Sequence, residues 1–475
     1  EPNAAVVAEL DREMAKKQKI DAQIATYRHQ IEIAPSDSQA YNDLGNILPQ
    51  LGELEEAILC HQKASELRDW PECATKNYQF TQDWFTHNIP TWKQHLQQFA
   101  GVPDFKVVEI GSFQGMSACW LLDNILTHPT AKITCIDLYF QEHFQGNIVK
   151  TGVAEKVIEL QGYSQELLVT LADEYYDIAY VDGCHKPTSV LQDAILSWRL
   201  VKVGGLMIFD DYEFTFPDSP EQDTKIGIDL FLEMFASQLK VVHKGYQLIV
   251  KKIDNKSLGE EKTLLSLGWE KLGDVAANAG YTDAAIDRYQ TAIEIQSGTY
   301  STYQKLGKSL QAKERFDEAA AAYQQAIELN PNFSWAYHYL GETLQAIEEY
   351  SDAAAAYRKA IELNPDFCWT YSNLGDALME LSEWEEAAVV YRQLIELNPD
   401  FCWSYDRLGN ALVKVKNWDE AAEAYRRAIA LNSEFCWLYN SLGEVLEKQE
   451  NWSEAIVVFR RAIELASDKS WLYKK

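Results

Sequence analysis

The chain has 475 residues, 47% of them hydrophobic and 24% charged, which excludes a disordered or fibrous protein and suggests about three domains at ~150 residues each. Its 43 basic and 72 acidic residues leave a net charge of −29, which disfavours nucleic acid and anionic membrane surfaces as main partners, since both need a basic footprint. No apolar run approaches the ~18–20 residues that span a bilayer, and no signal-peptide pattern opens the sequence. The eight cysteines contain no C-x-x-C pair, so reduced, mostly buried thiols in a cytoplasmic protein are expected rather than a disulfide framework or a zinc site.

In chain order, residues 1–69 read as two helical units. Asp21–Pro35 (DAQIATYRHQIEIAP) aligns with Asp352–Pro365, and Leu44-Gly45 is followed by a second helix over Glu55–Leu67. Residues 70–255 differ: short apolar runs alternate with amphipathic stretches, the pattern of a mostly parallel sheet covered on both faces. Strands are expected at Lys106–Ile110, Lys132–Asp137, Val157–Gln161, Asp177–Asp182 and Leu206–Asp210, then a terminal pair, Leu239–His243 and Tyr246–Lys252, after a helix around Gly227–Ser237. A linker over 256–264 leads to residues 265–475. There Leu-Gly recurs every 34 residues at Leu272, Leu306, Leu340, Leu374, Leu408 and Leu442, accompanied by Phe333, Phe367, Phe401 and Phe435 and by Trp335, Trp369, Trp403 and Trp437. Asn330-Pro331, Asn364-Pro365 and Asn398-Pro399 stop one helix and start the next. Between the marks lie amphipathic helices such as Tyr371–Met379 and Glu385–Leu397. Trp471 continues the series close to the end and the chain begins at Glu1, so a longer array is expected.

These residues resemble the tetratricopeptide repeat (TPR), with Gly375 as the small residue after Leu, Trp384 as the aromatic at the turn and Ala387 at the close helix crossing. The resemblance covers roughly 265–475 as six units plus the start of a further helix. It implies a right-handed helical solenoid with a concave, partner-binding face. The 228 residues from Leu44 to Leu272 exceed one repeat by 194, so residues 70–255 read as a domain inserted where one unit ends and the next begins.

The first strand of the insert ends in VVEIGSFQG, which puts glycines at a strand's carboxyl end, where open α/β sheets bind ligands. The dinucleotide pattern G-x-G-x-x-G is absent, which argues against NAD. The next strand ends in Asp137, 28 residues after Glu109, a carboxylate able to accept both hydroxyls of a ribose. EIGSFQG, CIDLY and YVDGCHKPTSVLQDAILSWRLVKVGGLMIFDDY resemble class I S-adenosylmethionine-dependent methyltransferases, above all the small-molecule and sugar O-methyltransferases. The whole chain is therefore expected to be multidomain, an α-helical TPR solenoid plus an α/β Rossmann-like methyltransferase domain. The resemblance implies that Glu109, Gly111 and Ser112 serve the methionine and ribose end of the cofactor, that Asp137 takes the ribose hydroxyls, that Gly162, Tyr163 and Ser164 flank the adenine, and that Gly115 and Asp182 also belong to the cofactor site.

Asp182, Asp210 and Asp211 end neighbouring strands. Three such carboxylates repel unless a cation joins them, and an all-oxygen set suits Mg²⁺; in metal-dependent sugar methyltransferases carboxylates at these positions hold that ion. The other reading has one Asp capping a helix and another bonding the cofactor amine. His185, three residues after Asp182, is the expected general base, because imidazole titrates near working pH; Asp182 shares the catalytic centre. His87, His128 and His143 read as surface residues. Tyr212, Phe214 and Phe216 serve an acceptor wall or core packing equally well.

Two functions compete. In the first, the chain methylates a hydroxyl of a sugar or other small acceptor while the repeats dock a protein partner or substrate carrier. In the second, the repeats hold a peptide or protein that is itself methylated. A scaffold without activity is the weakest reading, given the residues retained. The tryptophan column is a candidate groove for an extended peptide or glycan, with packing between repeats as the alternative.

Overall fold

The computed structural model describes residues 2–217, 219–255 and 260–468. The chain divides into two compact units, one ending at Leu272 and the other starting at Gly273.

The first unit is built around a seven-stranded sheet of β1 (Lys106–Ile110), β2 (Lys132–Asp137), β3 (Val157–Gln161), β4 (Tyr176–Val181), β5 (Val201–Phe209), β6 (Leu239–Lys244) and β7 (Leu248–Lys252), in the order β3-β2-β1-β4-β5-β7-β6. The first five strands are parallel, whereas β7 runs antiparallel to β5 and to β6. Val107, Val108, Ile133, Ile178 and Ile208 are buried, as expected of central strands covered on both faces. The strand order reverses between β1 and β4, which opens a crevice beyond their carboxyl ends. Every predicted strand is present; β1, β2 and β3 have the predicted bounds, and β4 to β7 have shifted ends. β5 starts at Val201 rather than Leu206, because a register shift opposite Tyr176 and Ile178 carries the strand through Gly204 and Gly205. β7 starts at Leu248, which leaves Tyr246 and Gln247 in the turn.

Before the sheet domain, Ser38–Ile47 and Leu54–Leu67 form one repeat unit, its first helix capped by Asp37, which accepts from Gln39 N at 2.9 Å. The preceding stretch departs from the expected helix pair: Pro2–Ile33 is one helix of 32 residues. No glycine, proline or asparagine lies between Leu10 and Asp21, and the run EMAKKQKI favours uninterrupted helix. Its last turns still keep repeat geometry. Arg28 pairs with Glu56 at 2.9 Å, the same 28-residue spacing as Arg358–Glu386, Arg392–Glu420 and Arg426–Glu454.

Helices from Glu261–Asn278 and Thr282–Ile295 to Cys436–Lys448 and Trp452–Asp468 make six pairs, the first of which spans the division between the units. The period has a steric cause. A Cβ at Gly341 would lie 2.5 Å from the Tyr357 ring, and Gly307, Gly375 and Gly409 meet Tyr323, Tyr391 and Tyr425 in the same way. Only glycine admits the buried tyrosine at this crossing. Each helix pair also turns through a left-handed residue, at Gly280, Glu314, Glu348, Ser382, Lys416 and Glu450. Residues 256–259 of the predicted linker and Trp471 lie outside the described residues.

Candidate active site

Beyond the carboxyl ends of β1, β2 and β4 lies a cavity of about 830 Å³. Gly111, Ser112, Asp137, Gly162, Tyr163, Ser164, Asp182, His185, Asp210 and Asp211 all line it, so most of the residues singled out in the sequence meet in one place. Gly111 has φ +86, and a Cβ there would lie 1.9 Å from the carbonyl oxygen of Asp182; glycine lets the ends of β1 and β4 close on each other. Asp137 accepts from the backbone N–H groups of Phe113 at 2.8 Å and Tyr139 at 3.0 Å, which fixes its carboxylate at the cavity edge.

Two expected cofactor residues sit elsewhere. Glu109 is fully buried beneath the turn, where its carboxyl accepts from Ser112 Oγ at 2.8 Å and from Ser117 Oγ. Burial raises its pKa. Its side chain therefore braces the glycine turn. Gly115 faces Phe144 and supplies the left-handed residue that starts helix Met116–Asn124. Ser164 lines the cavity while its Oγ donates to Asp193 at 2.7 Å. Burial pushes the Asp193 carboxyl up to about 6.

At the other end, single ligand atoms of Asp182, His185 and Asp211 lie within 4.8 Å of one another. His185 Nδ1 faces Asp211 Oδ2 at 2.7 Å. A carboxylate only accepts, so the ring proton is held on Nδ1 and Nε2 is left to accept. Asp211 also accepts from the Tyr246 hydroxyl and adopts a left-handed φ of +54. Burial alone would raise its pKa, but the hydrogen bonds from His185 and Tyr246 outweigh burial and hold it low. The same bond to Asp211 raises His185. Asp182 accepts from Tyr180 Oη at 2.9 Å, and burial, then the charges of Asp210 and Asp211, raise it well above the usual carboxylate range. Asp210 turns its Oδ1 to Gln247 at 2.8 Å and Asn88 at 3.2 Å, and burial with Asp211 pushes it up to about 7. Of the three predicted metal ligands, Asp182 and Asp211 thus converge with His185, while Asp210 adjoins them with one oxygen already engaged.

The aromatic candidates separate. Phe214 lines the cavity beside His185, with ring centroids 6.1 Å apart, and Phe216 packs on Phe214. Tyr212 is buried and donates to Asp229 at 2.7 Å, which makes it core. His87 is no surface residue; its ring packs edge-on against Tyr246 at 4.8 Å, and burial lowers its pKa. Sequence reading missed Tyr246, Gln247, Asn88 and the cavity-lining Trp84, which reach the site from distant loops and carry no local pattern. In the second unit, Trp335, Trp369, Trp403 and Trp437 are 42%, 67%, 40% and 41% exposed. The first three indoles also meet a phenylalanine of the next repeat, as in Trp335–Phe367 at 4.2 Å and Trp403–Phe435 at 5.5 Å, whereas Trp437 stacks on Phe435 of its own repeat at 4.3 Å.

Residues 108–212 match the family described as methyltransferase domain. Residues 307–450 match a TPR repeat family in four overlapping segments, and 438–470 and 38–69 match further tetratricopeptide repeat families. The chain thus carries a methyltransferase domain with tetratricopeptide repeats on either side. Among its relatives, a "Putative O-methyltransferase" of Mycolicibacterium smegmatis is 32% identical over 108 residues, which is 22% of this chain and 48% of that protein. A like-named protein of Mycobacterium sp. (strain JLS) is 29% identical over 103 residues, 22% of this chain and 46% of its own length. An uncharacterized protein of Acanthamoeba polyphaga mimivirus is 31% identical over 117 residues, 23% of this chain and 52% of its own length. The chain spans about half the length of these relatives. A crystal structure of MamA aligns over 38% of this chain and 98% of its own, with 27% identity and a TM-score of 0.36. YrrB, a TPR protein with an unusual peptide-binding site, aligns over 38% and 93% with 22% identity and a TM-score of 0.36.

Proposed function

We propose that the chain is an S-adenosylmethionine-dependent O-methyltransferase acting on a hydroxyl of a sugar or other small acceptor, and that its repeats dock a protein partner or substrate carrier. The observation that carries this reading is the His185–Asp211 pair placed beside Asp182 in the same cavity as Asp137 and the Gly111 turn. The cavity residues fit the cofactor: Gly111 keeps the backbone clear of a Cβ, and Asp137 presents a carboxylate bonded only through backbone N–H groups among its described contacts. Asp137 would hold the ribose, Gly111 and Ser112 the methionine end, and Gly162 and Tyr163 the adenine. When bound, S-adenosylmethionine supplies an electrophilic methyl group. His185 Nε2 takes the proton of the acceptor hydroxyl, and Asp211 stabilises the imidazolium that forms.

The donor set also fits a divalent cation, because Asp182 and Asp211 bring carboxylate oxygens close to His185 N, and burial with the charges of Asp210 and Asp211 raises the cost of ionising Asp182. Asp182, Asp210 and Asp211 would hold Mg²⁺, which would lower the pKa of an acceptor hydroxyl. The competing reading, methylation of a peptide held by the repeats, draws on the exposed indoles of the solenoid. Incubating the full chain with methyl-labelled S-adenosylmethionine, a sugar panel and host lysate tests both. Label in small molecules supports the first reading, label in protein the second, and no transfer in any arm refutes both.

A further inference from the structure

The segment 79–86 has no strand or long helix of its own, yet it is fastened at three points by side-chain amides. Asn147 accepts from Gln79 N at 2.7 Å and donates to Gln79 O at 3.1 Å. Gln114, in the glycine turn after β1, accepts from Thr81 N at 2.9 Å and donates to Thr81 Oγ1 at 2.8 Å. The third fastening comes from the N-terminal repeat. Asn46, on helix Ser38–Ile47, accepts from Asp83 N at 2.8 Å and donates to Asp83 O at 3.0 Å. Each amide satisfies a donor and an acceptor together, and Asn147 and Asn46 do so on one residue's backbone N–H and C=O, the way a strand partner would. Arg68, at the end of the same repeat, reaches Thr86 Oγ1 and lies 3.8 Å from the buried carboxylate of Asp83. Asp83 in turn accepts from Phe85 N and Thr86 N at 3.0 and 2.7 Å.

This strap has a face on the cavity. Gln82, Trp84 and Phe85 line it together with the glycine turn, Asp182 and Asp211. Phe85 is buried on Trp92, but Trp84 is 63% exposed. A large indole left open on the wall of a cavity is a surface for a ligand, because nothing in the core claims it. The strap then continues to Asn88, which donates to Asp210. The wall carrying Trp84 therefore lies between the glycine turn and the carboxylate cluster.

We infer that the N-terminal repeat is a working part of the ligand cavity: Asn46 is a positioning residue that holds the strap, and Trp84 is the ligand-contacting residue it holds in place. The inference rests on the S-adenosylmethionine reading given above. It assigns this repeat a role in the binding site itself, separate from any partner that the solenoid takes.

The test uses the full chain and S-adenosylhomocysteine as the probe, with affinities from calorimetry for wild type, Trp84→Ala, Asn46→Ala and the double variant. Trp84 is exposed, so its truncation leaves the fold intact and should weaken binding about tenfold. Asn46→Ala should weaken binding several-fold and abolish protection of the Asp83 amide in hydrogen exchange, while the amides of β1 keep theirs. Because Asn46 acts through the indole, the double variant should bind no more weakly than Trp84→Ala; a merely structural defect would multiply with it. Wild-type affinity in Asn46→Ala, or a double variant at the product of the two losses, overturns the inference. A wild-type chain that fails to bind S-adenosylhomocysteine overturns the methyltransferase reading instead.

Discussion

Replacing Gly111 by alanine should damage the fold and the site together. At φ +86 an L-residue pays ~1–2 kcal/mol for the left-handed backbone. The added Cβ would also lie 1.9 Å from Asp182 O and 2.6 Å from its carbonyl carbon, backbone atoms that cannot rotate away, and overpacking of this kind costs ~1–3 kcal/mol. Together ~2–5 kcal/mol is a large share of the ~5–15 kcal/mol that stabilises a typical domain. Relief of the clash must part the ends of β1 and β4, and Asp182 moves with them. Gly146→Ala is the control. It lies in helix Phe144–Thr151 with no atom within 4 Å of an added Cβ, so it should be neutral or stabilising by ~0.5–1 kcal/mol. Hydrogen exchange of the β1 and β4 amides in the full chain reads both effects locally, and calorimetry with S-adenosylhomocysteine reads the site. A Gly111→Ala chain with wild-type protection and affinity would refute the steric reasoning.

His185→Ala should abolish methyl transfer while S-adenosylhomocysteine binding persists; an active variant, measured with labelled methyl donor, removes His185 as the base. Asp182→Asn, Asp210→Asn and Asp211→Asn should each stop turnover with cofactor binding mostly intact, and so should excess chelator; full activity in chelator removes the metal. For the solenoid, Trp403→Ala should destabilise its repeat more than Trp369→Ala, because their exposures of 40% and 67% differ by about a quarter of a side chain. At ~200–250 Å² per indole and ~25 cal/mol/Å² that difference is roughly 1.5 kcal/mol, readable as local exchange rates in the full chain. Loss of a bound partner in Trp369→Ala without loss of protection would mark that indole as contact surface, and a large loss of protection would mark it as packing.

The repeats were legible because their constraint is local and recurs: a glycine that must clear an aromatic ring returns at every 34th residue from Gly273 to Gly443. The parallel strands were legible from apolar runs, and the Gly111 turn, Asp137, Asp182, His185 and Asp211 from motifs at strand ends. Pairings across loops were not. Nothing near Tyr246 in the sequence signals that it donates to Asp211, and nothing near Asn46 signals a bond to a strap 37 residues away. Glu109 has the position of a ligand-facing residue, but the inward side of the strand end turns it onto Ser112 and Ser117. The long first helix departs from the repeat pattern because the residues in its middle contain no turn former.

The account turns most directly on the affinity of the full chain for S-adenosylhomocysteine with and without the Asp137 carboxylate. Calorimetry should show binding by the wild type and a loss in Asp137→Ala of at least the ~1.5–3 kcal/mol carried by charge-assisted hydrogen bonds, which is about tenfold or more in Kd. Equal affinity in the two chains, or no binding in either, would contradict it.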